Sequence, residues 1–229
     1  MKKIVFLICS ILILNISLSA QNNDLITVRA GTRILDYFPV SVRYRYPEFI
    51  TGKILFKNGN SNTNRLNYNF LLDEMEFIQS QDTLSIAKKK DIRFIAVAQD
   101  TFFFDNGYLE QICGGPVSVG LRQRIKLKQV LKKDSYGVSS SGSATSSYNS
   151  LPADGNFYKL SANEDMVFQK TKDYYLATKS SGFIQFRKKT VLQLFPEKEA
   201  AIKDYLKSNK INFDSKDDLL KLAEFLQRL

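Results

Sequence analysis

Residues able to do chemistry fall into a few groups. From Val117 to Lys128, apolar Val117, Val119, Leu121, Ile125 and Leu127 alternate with Arg122, Arg124, Lys126 and Lys128. Alternate residues of a strand share a face, so the four cations would form a basic stripe about 20 Å long, continued by Lys132 and Lys133 and able to meet the phosphates or sulfates of a polyanion. The plainer reading is the solvated outer face of an antiparallel strand, where cations also deter edge aggregation. Nucleic acid would call for exposed aromatics among the cations, and the run has none.

Asp82-Thr83 and Asp100-Thr101 each open an expected strand, and two aspartates brought together could share a proton as general acid and base. Against this, Leu84 and Phe102 follow where a catalytic Asp-Thr would have glycine, and a turn aspartate ordinarily bonds its own backbone. Asp73, Glu74 and Glu76 could bind calcium if loop carbonyls joined them. Glu74 and Glu76 flank Met75 in alternation, with no Asp-x-Asp-x-Asp-Gly loop, so a solvated strand face is expected instead. Cys113 is expected to be a buried inert thiol, because no imidazole can generate its thiolate. Tyr44, Tyr46, Tyr174 and Tyr175 fit either core or rim and mark no site.

What the chain lacks narrows the chemistry further. It has 229 residues and no histidine, which excludes Ser-His-acid triads, Cys-His pairs and imidazole metal ligation. It carries no Walker loop, dinucleotide fingerprint or CxxC pair, so no cofactor, metal site or catalytic residue is assigned. Hydrophobic residues make up 44% and charged residues 24%, a balance that suits a folded globular chain.

The elements that must position these residues have two periods. From Leu25 to Leu131 the period is two, and no helix is required. Lys53–Lys57 runs into Asn58-Gly59, and Leu66, Tyr68, Phe70 and Leu72 then share a face opposite Asn67 and Asn69. This predicts a hairpin whose loop the polar stretch Asn60–Asn64 makes longer than the tightest type. The apolar parity then shifts to Met75 and Phe77, which predicts a bulge or sharp bend near Asp73. Short strands follow over Thr83–Ala87, with Leu84 and Ile86 inward, and over Ile92–Ala98, Thr101–Phe104 and Tyr108–Cys113, the last pair joined by Asp105-Asn106-Gly107. Residues 134–156 are rich in Ser and Gly and are expected to be a mobile loop. Further strands are expected at Phe157–Leu160, Met166–Lys170 and Tyr174–Ala177.

After residue 187 the period becomes helical. Lys188–Leu194 predicts a short helix and Pro196 starts another, along which Ile202, Tyr205, Leu206 and Asn209 lie on one side. Asp214 or Ser215 can cap a last helix whose Leu219, Leu222, Ala223 and Leu226 follow the i, i+3, i+4, i+7 rule. That stripe is expected to pack on the β region, with docking to another protein as the alternative. The fold class is α+β: a mainly antiparallel β meander over 21–187 forming a sandwich or small barrel, and a C-terminal helical hairpin over 188–229.

The N-terminus reads as an address. Met1-Lys2-Lys3 is basic, Ile4–Leu14 is apolar except for Ser10, and small Ser17, Ser19 and Ala20 follow, so a signal peptide cleaved after Ala20 or one residue earlier is expected. The apolar run is short for a bilayer span, and Cys9 follows Ile8 rather than a small residue, which makes it a poor lipidation site. Cleavage removes Lys2 and Lys3 and lowers the net charge of +10 by two. The mature chain then holds one thiol, Cys113, and no internal disulfide.

Leu66-Asn67-Tyr68-Asn69, Asp73-Glu74-Met75-Glu76-Phe77, Asp82-Thr83-Leu84 and Asp100-Thr101-Phe102 together resemble a group of uncharacterised exported proteins of Gram-negative bacteria. The resemblance continues through Asn106-Gly107-Tyr108-Leu109, the Ser-rich segment, Leu194-Phe195-Pro196 and Asp218-Leu219. It implies export and a shared fold, and brings no catalytic residue or ligand with it. The expectation is therefore an exported, non-enzymatic envelope protein, periplasmic, outer-membrane-associated or secreted, that binds or supports an unidentified protein or anionic glycolipid. The alternatives are a polyanion or membrane-surface binder using Arg122, Arg124, Lys126 and Lys128, and a histidine-free acid hydrolase using paired aspartates.

Overall fold

The computed structural model describes residues 25–133, 139–140 and 164–229. The expected leader, most of the Ser/Gly-rich segment and the expected Phe157–Leu160 strand lie outside them. In chain order the strands are β1 (Leu25–Val28), β2 (Ile50–Phe56), β3 (Ser61–Asn69), β4 (Glu74–Gln79), β5 (Asp82–Ser85), β6 (Ile92–Val97), β7 (Asp100–Phe104), β8 (Tyr108–Cys113), β9 (Val117–Lys133), β10 (Ser139–Ser140), β11 (Asp165–Thr178) and β12 (Ser181–Gln185). All pair antiparallel, in the spatial order β1-β11-β9-β8-β7-β6-β2-β3-β4-β5, with β10 on β9 and β12 on β11. Two meanders, β2 to β5 and β6 to β9, are thus joined where β6 takes the free side of β2. The ladder is open, with β1 and β5 at its ends.

Local chemistry explains the turns. Phe56 N–H donates to Asn60 O at 2.9 Å and Gly59 adopts φ +88°, so β2 and β3 are joined by a four-residue loop. The loop is longer than the tightest type, as expected, but of the polar stretch only Asn60 lies in it, because Ser61–Asn64 pair with Gly52–Leu55 as strand. The parity shift near Asp73 is the β3–β4 turn, with Asp73 itself left-handed at φ 54°. Asn106 and Gly107, at φ 52° and 133°, make the β7–β8 turn as their residue types predict. Leu84 points outward at 42% exposure, contrary to expectation, because β5 ends at Ser85 and only Ile86 turns into the core.

The region thought to need no helix has two single turns, α1 (Ile34–Tyr37) and α2 (Val40–Arg43), and a 3-10 turn at Lys89–Asp91. Pro39, held at φ −65°, starts α2, while Ile34 and Phe38 supply the buried residues. The two strands expected over Met166–Lys170 and Tyr174–Ala177 are one, because β11 pairs with β9 from Asp165↔Leu131 to Thr178↔Val117 and carries Lys170–Asp173 through without a break.

The long β9·β11 ribbon serves two cores in series. Val117, Val119 and Leu121 of β9 lie with Tyr174 and Leu176 of β11 against α3 (Lys188–Leu194), α4 (Glu199–Asn209) and α5 (Lys216–Gln227). Leu219, Leu222, Ala223 and Leu226 fill that core, and Ser215 Oγ accepts from Asp218 N at 3.4 Å to cap α5. Farther along the ribbon, Ile125, Val130, Met166 and Phe168 join a second core built from β2 to β8. Gln123 and Lys172, paired across the ribbon, separate the two. Beyond the end of β8, β9 receives the β3–β4 turn, for Ile125 N–H donates to Phe70 O at 2.8 Å and Tyr68 OH to Gln123 O at 3.1 Å.

Candidate functional site

The four cations of β9 do not act alike, although their strand is placed as the alternation predicts. Arg122 is buried. Its Nη2 donates to Asp105 O at 3.0 Å, its guanidinium lies 5.3 Å from the Tyr175 ring centroid, and a side chain at Gly107 would collide with it. Arg124 is half-buried and bridges two acids, Asp173 at 2.8 Å and Asp73 at 3.9 Å. Lys126 is exposed and reaches Asp173 at 3.3 Å, and Lys128 is exposed at the ribbon's bulge between Val167 and Phe168. The continuous stripe of four is therefore corrected to two arginines set into the fold and two lysines in solvent. Asp173 and the turn residues Asp73 and Asp105, distant in sequence, recruit the arginines.

The turn acids form a second cluster. Asp73 Oδ1 accepts from Tyr68 OH at 2.5 Å. Burial raises the Asp73 carboxyl above its ordinary value, while Tyr68, Arg122 and Arg124 pull it back. Glu74 pairs with Lys89, and burial likewise pushes its carboxyl up. Glu76, expected to be solvated, is buried: Tyr44 OH donates to its Oε2 at 2.7 Å and Asn69 Nδ2 at 3.1 Å. Burial, and then the bond to Glu76, push the Tyr44 hydroxyl well above its ordinary value. Asp73, Glu74 and Glu76 thus turn to different partners, and among the described residues no three acidic or thiol groups converge as a cation site would need.

Asn67 and Asn69 are buried too, contrary to the outer face their parity suggested. Asn67 Oδ1 accepts from Tyr46 N at 3.1 Å, and its Nδ2 donates to Tyr46 O at 2.9 Å and Glu48 O at 3.1 Å. The segment before β2 pairs with the end of β3, through Arg45 N–H to Tyr68 O and Phe70 N–H to Arg43 O at 2.9 and 2.7 Å. Past Tyr46 that pairing breaks, and the Asn67 carboxamide takes over the freed backbone groups.

Asp100, one of the two candidate general acids, lies in an ion-pair network at the β6–β7 turn. Tyr46 OH donates to its Oδ2 at 2.7 Å and Arg45 Nη2 at 3.0 Å, while Arg45 also holds Glu110 through Nε at 2.9 Å. The bond to Glu110 raises Arg45 above its already high value, and burial followed by the Asp100 bond raises the Tyr46 hydroxyl. Asp82 is exposed at the β4–β5 turn. Four strands, β6, β2, β3 and β4, stand between β7 and β5 in the ladder, so the two aspartates occupy separate turns.

Cys113 is half-buried, not fully enclosed as expected, and Gln227 of α5 covers it by donating to Val117 O at 2.7 Å and Gly114 O at 3.1 Å. Tyr44, Tyr46 and Tyr174 are core, and Tyr175 lies under Arg122. Arg45, Glu110 and Asp173 stand in no motif or periodic pattern that would single them out in the sequence. The one sign of the Arg45 network was Tyr44-Arg45-Tyr46, a cation between aromatics just before Pro47. Among the described residues no helix is long and apolar enough to cross a membrane. No family model matches the chain, and neither the curated proteins nor the solved structures contain a match.

Proposed function

We propose that the chain is an exported, non-enzymatic module of the cell envelope that works by surface contact with another envelope component. The observation that carries this reading is how the inward-facing acids are used. Asp73, Glu76, Asp100, Glu110 and Asp173 each accept from a tyrosine or arginine held by the fold. Their chemistry joins strands, which leaves exposed side chains for recognition. The basic start and the apolar run Ile4–Leu14 support export, as does the resemblance to exported Gram-negative proteins. In this reading β9, β8, β7, β6, β2 and β3 curl toward a small barrel, a shape supported by the reach of Phe70 O back to Ile125.

The test is to express the full chain in a Gram-negative host, determine the N-terminus of the stable product, and crosslink intact cells before identifying partners. Processing at or next to Ala20, recovery with the envelope and a reproducible crosslinked component are expected. A stable unprocessed cytosolic form, or substrate turnover by the purified mature chain, would refute the reading.

A second reading is adsorption to a polyanion or an anionic membrane surface through β9, favoured by the exposure of Lys126 and Lys128. Arg122 and Arg124 would then support the lysines from within. Retention on heparin resin should weaken with salt and fall when both lysines become glutamine. Unchanged retention removes β9 as the contact.

A further inference from the structure

Away from β9, exposed cations gather around the turn between β5 and β6. The run Lys88-Lys89-Lys90 is divided by its fold. Lys89 turns inward to Glu74, which anchors the 3-10 turn, and Lys88 and Lys90 are left exposed. Lys57 N–H donates to Asp91 O at 2.8 Å, tying the β2–β3 turn to this one, and Asn60 N–H donates to Asn58 Oδ1 at 3.0 Å. The backbones of the two turns are thereby joined side by side.

Two hollows flank Lys88 and Asp91. One, of about 490 Å³, is bounded by Phe56, Lys57 and the carboxamides of Asn58, Asn60 and Asn62. The other, of about 470 Å³, is bounded by Phe104, Ala87, Lys89 and Lys90. Each therefore has a half-buried aromatic ring and exposed ammonium groups, and among the described residues Asp91 is the one carboxylate in either lining. Ammonium groups suit phosphate as compact point charges, carboxamides donate to and accept from hydroxyls, and an aromatic ring takes the apolar C–H face of a pyranose. The combination matches a sugar that carries phosphate better than a bare anion, which would have no use for the rings and amides.

We infer that the paired hollows around Lys88 bind a phosphorylated saccharide, with Lys57, Lys88 and Lys90 on phosphate and Phe56 and Phe104 against sugar rings. This inference rests on the envelope-module reading and specifies its ligand. The phosphorylated sugar is either the headgroup of a glycolipid or a free phosphosaccharide.

The test titrates the full mature chain with four probes: a soluble bis-phosphorylated glucosamine disaccharide, its unphosphorylated form, inorganic phosphate, and vesicles of a glycolipid with that phosphorylated headgroup. Amide shifts at residues 56–62, 87–91 and 104 are expected with the phosphorylated disaccharide, with at least about tenfold weaker binding of each simpler soluble probe. K57Q/K88Q/K90Q should lose at least about tenfold, whereas K207Q/K221Q, at exposed lysines of α4 and α5, should bind as the parent does. Binding of vesicles alone, lost in the triple variant, supports the site and assigns the ligand to a lipid headgroup. Undiminished binding by the triple variant overturns the site. Indifference of the parent chain to all four probes overturns the ligand class and leaves the envelope reading standing, because that reading falls with a stable unprocessed cytosolic form or with substrate turnover and not with these titrations.

Discussion

The two cores on the β9·β11 ribbon are made in opposite ways. The helix-backed core is apolar throughout, with Leu219, Leu222, Ala223 and Leu226 meeting Val117, Val119 and Leu176. The hairpin core is enclosed on the side of the β3–β4 hairpin by buried Asn67 and Glu76, bonded to the segment from Tyr44 to Glu48, and by buried Asn69, which donates to Glu76. Apolar packing asks for volume and accepts a range of shapes, whereas a buried carboxamide asks for particular donors and acceptors in particular places. One strand pair thus supports a tolerant core at one end and a specified one at the other.

Truncation should expose the difference. Leu222→Ala removes a fully buried side chain and is expected to cost about 2–5 kcal/mol in denaturant unfolding, while Leu222→Met should cost less than about 1.5 kcal/mol. Asn67→Ala strands Tyr46 N, Tyr46 O and Glu48 O together and is expected to cost about 1–3 kcal/mol. Asn67→Leu, which restores volume without hydrogen bonds, should rescue little of that loss. Full rescue by leucine would show the hairpin core to be as tolerant as the other.

The contrast also explains what was legible in the sequence. The helical stripe is written in one short stretch at the helical period, so its burial, a cap at Asp214 or Ser215, which falls to Ser215, and the span of α3 could be read directly. The strands β6, β7 and β8 and the Asn106-Gly107 turn were legible for the same local reason. Period-two alternation, however, says only that Asn67, Asn69 and Glu76 oppose Leu66 and Tyr68. Whether that opposite side is solvated depends on the Tyr44–Glu48 segment, about 20 residues earlier, whose return to β3 leaves no periodic mark. The stripe on β9 failed likewise: Arg122 and Lys128 look equivalent in alternation, and only the β7–β8 turn and Tyr175, which enclose Arg122, distinguish them.

That distinction can be tested within the stripe. Arg122→Gln loses the bond to Asp105 O, the contact with Tyr175 and the filling of the space above Gly107, and is expected to cost about 1–3 kcal/mol. Lys128→Gln should stay within about 0.5 kcal/mol of the parent chain. Equal effects from the two would restore the uniform basic face that the alternation suggested.

The finest contrast is between Asp73 and Asp173, which share Arg124 and are shifted in opposite directions. Burial raises Asp73 above the ordinary 3.8, so the native state holds this proton more tightly than the unfolded chain does. Stability from this group is greatest at low pH and falls as pH rises from 3.8 through the raised native value. Burial also pushes on Asp173, but Arg124 and Lys126 overcome it and hold the carboxyl below 3.8, so its contribution is present above that pH and is lost as pH falls through the depressed native value. Unfolding free energies of Asp73→Asn and Asp173→Asn, followed from acid to neutral pH, should therefore diverge from the parent with opposite slopes. The asparagine at 73 gains on the parent as pH rises, and the asparagine at 173 loses. Because Arg124 reaches both acids, removing Asp173 leaves its guanidinium to Asp73, and the slope of the double variant should depart from the sum of the single slopes. Additive slopes would mean that Arg124 serves each acid independently and that the turn and the ribbon are not electrostatically joined there.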